Sequence, residues 1–352
     1  MKERNIKSLV RECILSLSPY STARDEYKGP LGVFLDANES PYENGYNRYP
    51  DPHQKHLKEV IAAKKGVAVE NIFIGNGSDE AIDLLFRVFC EPRRDNVLAI
   101  APSYGMYKVA AAINDVAMRE VQLGSEFTLP VEELLQSVDA ATKIIFLCSP
   151  NNPTGNSFAA KDILRIVEEF EGIVVVDEAY IDFAEAQSLA EQIASHPNLV
   201  VLQTMSKAWG MAGLRVGLAL ADSYVIELLS QVKYPYNINL ATMQLVEKLL
   251  EEPVAEQVEQ IKQQREKFSV ALRSMTFVER VYPSDANFVL VKVADADGLY
   301  DYLIADGIIV RNRNRVKGCE GCLRISVGTP QENEKLIKSL ERYEKESSVC
   351  RS

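Results

Sequence analysis

The sequence predicts an α/β protein, with a large domain on a mainly parallel sheet and a smaller α+β domain after it. Six short apolar, β-branched runs recur through the middle of the chain: "NIFIG" (71–75), "VLAI" (97–100), "KIIFLC" (143–148), "IVVVD" (173–177), "LVVLQ" (199–203) and "VGLAL" (216–220). Amphipathic segments such as "SDEAIDLLFRVFC" and "AAKDILRIVEEF" lie between them. Strands that are apolar throughout are buried on both faces, and intervening helices are their usual cover. After about residue 222 the pattern changes to longer helices and fewer strands, which predicts the second domain.

In chain order, residues 1–45 contain Pro and Gly and no long periodic pattern, so they read as an N-terminal arm with a short helix, joining the small domain. Residues 46–240 form the large domain and 241–352 the small one. Within the latter, a helical stretch over about 241–274 is rich in Glu, Gln and Lys. It precedes the strand-like "NFVLVKV", a helix "DGLYDYLIADG", the strands "IIVRNRN" and "CLRISV", and a last helix from Gln331. No internal repeat or low-complexity linker interrupts this order.

Hydrophobic residues make up 47% of the 352, a globular composition that excludes general disorder. The net charge of −11 argues against a nucleic acid or an anionic membrane surface as partner. An acidic protein that binds an anion does so with a few local cations, so arginines among small residues are the ones to follow. The charged start "MKERNIKSLVREC" lacks the apolar core of a signal peptide, and no apolar run approaches the roughly 20 residues of a membrane span. Six dispersed cysteines fall far below disulfide-scaffold density, so a cytoplasmic protein with reduced thiols is expected. The pair Cys319 and Cys322 has no second Cys/His pair to complete a structural zinc site, so no metal is expected.

Ligands of parallel sheets gather at the carboxyl ends of the strands, and the unusual polar residues lie there. Lys207, in "QTMSKAWGMAGLRVG", follows an apolar run and sits beside Thr204 and Ser206, with Arg215 eight positions on. A lysine amine in surroundings that lower its pKa can form a Schiff base with a carbonyl compound. Pyridoxal phosphate (PLP) offers an aldehyde, a pyridine nitrogen, a phenolic oxygen and a phosphate, and the chain has a candidate for each. Asp177 ends a run of three valines, where a carboxylate is costly unless paired. Opposite the pyridine nitrogen it keeps the ring protonated, which makes PLP an electron sink. Tyr180 and Asn152, in "VVVDEAY" and "SPNNPTG", can donate to the phenolic oxygen. "GNGSDEAIDLL" is a glycine turn leading into a helix, so Ser78 and Asp79 present backbone N–H groups to a phosphate. Thr204 and Ser206 add hydroxyls there and Arg215 adds charge. Tyr104, in "APSYGMY", can stack on the ring. Each fragment alone is adequate turn, cap or core chemistry; their joint occurrence is the signal.

The chain resembles the fold-type-I PLP-dependent aminotransferases and, within them, the histidinol-phosphate aminotransferases. The likeness runs through "LSPYSTAR", "LDANESPY", "NRYPDP", "GNGSDEAID", "APSYGMY", "CSPNNPTGN", "VVVDEAYIDF", "TMSKAWGMAGLRVG", "VRNRN" and "CLRISVGT", in family order over nearly the whole chain. It implies the PLP-dependent transferase fold of type I with a seven-stranded sheet in the large domain. It implies Lys207, Asp177 and Tyr180 as catalytic residues. The cofactor would be held by Ser78, Asp79, Tyr104, Asn152, Asp177, Tyr180, Thr204, Ser206, Lys207 and Arg215, with Tyr49 reaching the phosphate of a partner subunit in a homodimer. It places Tyr20, Asn152, Arg311 and Arg324 round the substrate, and implies amino transfer between histidinol phosphate and 2-oxoglutarate, giving glutamate. Arg313 and Arg315 read as surface residues. Ser78 and Trp209 depart from common family residues without touching the chemistry. An aromatic or broad-specificity aminotransferase and a threonine-phosphate decarboxylase share the cofactor residues and remain rivals. A PLP-binding transcription regulator would need a basic DNA-binding module, and only about 35 residues precede "LDANES".

Overall fold

Every one of the six apolar runs is a strand buried on both faces, and this burial fixes the large sheet. The protein is described by a computed structural model, which covers residues 5–18 and 32–349. The strands are β1 (Ile72–Asn76), β2 (Asn96–Ala101), β3 (Ala117–Gln122), β4 (Thr142–Cys148), β5 (Ile173–Asp177), β6 (Leu199–Thr204) and β7 (Val216–Ala221), in the order β1-β7-β6-β5-β4-β2-β3. All neighbours pair in parallel except β7, which runs antiparallel to both β1 and β6.

Because successive side chains point to opposite faces, each strand divides between two cores. Phe73, Val97, Ala99, Ile144, Phe146 and Val175 pack on one side, under helices α3 (Ser78–Phe89), α4 (Met106–Ile113) and α7 (Ser223–Val232). Ile72, Ile74, Leu98, Ile145, Leu147 and Val176 pack on the other, with α2 (Lys55–Lys65), α5 (Val131–Gln136), α6 (Ala160–Glu169) and α8 (Leu240–Leu250).

The seventh strand, β3, carries no apolar run. It is an edge strand with one neighbour, and its residues "AMREVQ" are half-buried or exposed, so burial imposes no hydrophobic signature on it.

The helical stretch read over 241–274 is two helices, α8 and α9 (Ala255–Arg273). Pro253 separates them, since it lacks an N–H and disfavours helix in the residue before it. The arm also differs from the expectation. Ile6 and Val10 are buried in the core beneath α3, and the Arg11 amide donates to the Val88 carbonyl at 3.0 Å. Helix α1 (Glu12–Leu15) and its surroundings thus join the large-sheet unit rather than the small one.

The second sheet is antiparallel, in the order β10-β11-β9-β8, from β8 (Val278–Val281), β9 (Phe288–Val293), β10 (Arg311–Asn312) and β11 (Cys322–Ser326). One face carries Val289, Val291, Leu323 and Ile325 against α9, α10 (Ala296–Ala305) and α11 (Pro330–Val349). The other face carries Phe288, Leu290, Cys322 and Arg324, and it turns toward the carboxyl edge of the large sheet, where Phe288 packs edge-on to Tyr180 at 5.1 Å. Cys319 and Cys322 are buried there with Phe127 and Leu290, and burial pushes their thiols up to about 12 and about 11.

No helix among the described residues is long and apolar enough to cross a membrane.

Candidate active site

The carboxyl ends of β1, β2, β4, β5 and β6 lie along one edge of the large sheet, and the reversal of β7 brings its amino end to the same edge. Loops leaving these strands line a cleft with an empty volume of about 530 Å³. Ten sequence-predicted residues meet in its wall: Ser78, Asp79, Tyr104, Asn152, Asp177, Tyr180, Thr204, Ser206, Lys207 and Arg215.

One end of the cleft is built for an anion. Gly77 joins β1 to α3 with a φ of +73°, and a Cβ there would lie 2.6 Å from the Arg215 guanidinium. Glycine adopts this backbone conformation without strain, and it lets the guanidinium lie against the turn. The amino end of α3, the hydroxyls of Thr204 and Ser206 and the guanidinium of Arg215 border this end. Arg215 Nη1 donates to Ser206 Oγ at 3.5 Å, and its Nη2 lies 3.7 Å from Asp79 Oδ2. Asp79 Oδ1 accepts from the Tyr104 hydroxyl at 3.0 Å.

Asp177 closes the floor and is 2% exposed. Burial lifts its carboxyl to about 6, against the opposing donation of the Tyr107 hydroxyl (2.8 Å) and the Ala179 amide (3.0 Å). Tyr180 is buried beside it, and that burial holds its hydroxyl well above the usual tyrosine range. Asn152 Nδ2 stands 3.5 Å from this hydroxyl. Lys207 Nζ lies 5.6 Å from the Tyr180 ring centre. The residue keeps an exposed surface, yet the cleft walls desolvate its ammonium, and nearby Arg324 repels it. Both effects lower its pKa, desolvation the more.

A base of lowered pKa, a buried carboxylate and an anion cradle in one cleft suit a pyridine aldehyde phosphate. The fit rests on the buried carboxylate. Burial makes Asp177 costly to ionise, Lys207 offsets this least of the groups round it, and a protonated ring nitrogen would supply a cation against it.

The arginine side is built from strand register. Arg311 lies opposite Arg324, and the Arg313 amide donates to the Cys322 carbonyl at 2.9 Å. Alternate residues share a face, so all three arginines leave the face that turns to the cleft. Arg324 Nη1 donates to Asn152 Oδ1, and its guanidinium lies 5.2 Å from the Phe288 ring centre. Arg311 is exposed.

Arg313, read as a surface residue, is half-buried instead. Burial and the charges of Arg324 and Arg311 bring it down to about 10, and its Nε is buried without a hydrogen bond. None of the three has a carboxylate partner among the ion pairs of the described residues. "RNRNR" at the hairpin gives no sign of which arginine turns inward; only the register does.

Tyr49 does not line the cleft of its own chain. It stacks on Tyr236, ring centres 4.4 Å apart, in a separate hollow bounded by 37–39 and 46–50. Tyr20 lies outside the described residues. The sequence reading missed Tyr107 and Cys148. Tyr107 follows Tyr104 by one helical turn, and Cys148 ends β4 next to Asp177, so both had a positional signal.

The chain belongs to the class I and II aminotransferase family, whose profile matches residues 22–340, and it is a PLP-dependent aminotransferase. It is 52% identical to the histidinol-phosphate aminotransferase of Parabacteroides distasonis over 96% of this chain and 98% of that protein. The structure of the histidinol-phosphate aminotransferase of Sinorhizobium meliloti in complex with pyridoxal-5'-phosphate superposes with a TM-score of 0.79 at 24% identity, over 85% of this chain and 83% of that one. The L-threonine-O-3-phosphate decarboxylase of Porphyromonas gingivalis gives 0.72 at 23%, over 84% and 90%. The fold is therefore shared across reactions, and the substrate has to be read from the site.

Proposed function

We propose that this chain is a histidinol-phosphate aminotransferase. It moves the amino group of L-histidinol phosphate to 2-oxoglutarate, giving imidazole acetol phosphate and L-glutamate in histidine biosynthesis. The observation that carries the reading is the arginine face joined to the cleft through the Arg324–Asn152 hydrogen bond, in a chain half identical to enzymes of that name.

The cofactor would be held by the residues of the cleft wall: Ser78, Thr204, Ser206 and Arg215 for its phosphate, Asp177 for its ring nitrogen, Asn152 and Tyr180 for its phenolic oxygen, and Tyr104 for its ring. PLP supplies the electron sink that makes a substrate α-proton removable. Lys207 would anchor the aldehyde, and its Nζ is the base that would take the substrate α-proton. Desolvation and Arg324 favour the neutral amine this step requires.

Arg324 and Arg311 receive the substrate phosphate and, in the second half of the cycle, the carboxylates of glutamate. Their forked donors match both groups. Arg313 adds a third positive charge behind them. Tyr20 completes this end by family likeness.

A homodimer is part of the same reading, with Tyr49 serving the partner's cofactor phosphate. Val33, Leu35, Tyr42 and Tyr234 are each at least 80% exposed, large apolar side chains that a second copy could cover. The cofactor domain runs from 46 through α8, whose Met243, Val246 and Leu250 pack in the large-sheet core, and the smaller unit follows from α9, in a cytoplasmic enzyme.

The test is a single half-reaction. PLP-loaded protein is mixed with histidinol phosphate and no 2-oxo acid. Stoichiometric conversion of the cofactor absorbance to that of pyridoxamine phosphate, reversed by 2-oxoglutarate, is expected. An unmoved spectrum, with phenylalanine or tyrosine active instead or threonine phosphate releasing carbon dioxide, would refute the substrate.

A further inference from the structure

Tyr107 is the largest fully buried side chain among the described residues, and it carries a hydroxyl into the core. Its ring stacks on Phe146 (4.8 Å between centres, 18° between planes) and meets Tyr104 edge-on at 5.5 Å. Two aromatic contacts on a helix pressed against the sheet leave the ring one orientation. In that orientation the hydroxyl donates to Asp177 Oδ2 at 2.8 Å.

The other nearby polar group is the Cys148 thiol, which donates to the Pro150 carbonyl at 3.4 Å. The Tyr107 hydroxyl also faces this thiol, but its 2.8 Å hydrogen bond is the one to Asp177 Oδ2, while Asp177 Oδ1 accepts from the Ala179 amide. A carboxylate that accepts hydrogen bonds is a weaker base. Burial pushes Asp177 toward its protonated form, and Tyr107 is the foremost group opposing that push.

We infer that Tyr107 is a positioning residue for the amino-transfer reaction: its hydroxyl aims the Asp177 carboxylate and keeps it ionised, so that the proton shared with the cofactor ring nitrogen rests on the nitrogen. The inference rests on the placing of Asp177 opposite that nitrogen, proposed above. It adds that the electron sink depends on a residue outside the reach of cofactor and substrate. Without the hydroxyl, Asp177 becomes a stronger base and the proton moves toward the carboxyl. The fold and the substrate end are untouched.

Tyr107→Phe keeps the ring, its stacking and the core volume, so it tests the hydroxyl alone. Holoenzyme loaded with cofactor labelled with ¹⁵N in the ring reports the proton directly through the nitrogen chemical shift. The expected result is a shift toward the unprotonated nitrogen at neutral pH, with kcat for the half-reaction lowered roughly 10- to 100-fold, the worth of one hydrogen bond to a charged group. The KM for histidinol phosphate stays within about twofold, because the arginine face is unchanged. A purely structural role would lower stability and leave the nitrogen shift alone.

Asp177→Asn separates this inference from the reading beneath it. If it too leaves the ring nitrogen protonated, the placing of Asp177 fails. If Asp177→Asn removes the proton and Tyr107→Phe shows the wild-type shift and kcat, the role given to Tyr107 is overturned.

Discussion

The cofactor cleft and the arginine face are built by different means. The cleft is made of the ends of buried strands: Asp177 closes β5, Thr204 closes β6, and Gly77 leads from β1 into α3. Its residues are held by a sheet buried on both faces, and their spacing follows from strand, turn and helix in immediate succession. The arginine face is divided between β11, an inner strand that carries Arg324, and the two-residue edge strand β10, whose Arg311 is exposed. Rigid strand ends suit a cofactor that stays, whereas an edge hairpin suits substrates that come and go and alternate between phosphate and carboxylate.

If that contrast holds, damage to the cleft abolishes chemistry and damage to the face shifts substrate affinity. The largest effect belongs to Lys207→Ala. Single-turnover amino transfer falls at least about a thousandfold for want of the base, while the protein still binds PLP, weakly, by its phosphate and ring contacts. Turnover close to wild type would break the account of the cleft.

A second effect concerns the stability of the cofactor-free protein. The folded state holds Asp177 protonated up to about 6, above the ordinary 3.8. Between those values the folded state binds a proton that the unfolded chain releases, so stability from this group is present below about pH 4 and lost as pH rises through 6. The loss is on the order of 2–3 kcal/mol. Urea midpoints of the wild type measured against Asp177→Asn at both pH extremes should show the difference, with the variant gaining relative to wild type above pH 6. Equal pH dependence in the two proteins would mean that the carboxylate is no burden to the empty cleft.

The smallest effect sharpens the other half of the comparison. Arg313→Gln should raise the KM for histidinol phosphate about fivefold, the scale of one partly screened charge, with kcat unchanged. Phenylalanine, which lacks the phosphate, should be affected less. An equal loss for both would assign Arg313 to the hairpin's folding rather than to the substrate.

This contrast also explains what the sequence made legible. Ten residues of the cleft wall are legible in short motifs, because local succession brings them to one edge, whereas Cys148, which also lines it, is not. Their hydrogen-bond partners were less visible: Tyr107 looks like any core aromatic until its hydroxyl is found against Asp177. The edge strand β3 escaped notice since nothing buries both its faces. Pro253 marked the break between α8 and α9, although the polar, periodic residues on either side read as one helix. Arg313 and Arg315 look alike in composition, and the pairing of Arg313 with Cys322 across the hairpin is what turns it inward.

The separation of the two regions can be measured most directly with Arg324→Gln. The account predicts full PLP loading. The rate of the half-reaction at low histidinol phosphate falls roughly 10- to 100-fold, the cost of a lost charge-assisted contact to the phosphate. A variant that reacts with histidinol phosphate as fast as wild type, or that fails to hold the cofactor, would contradict it.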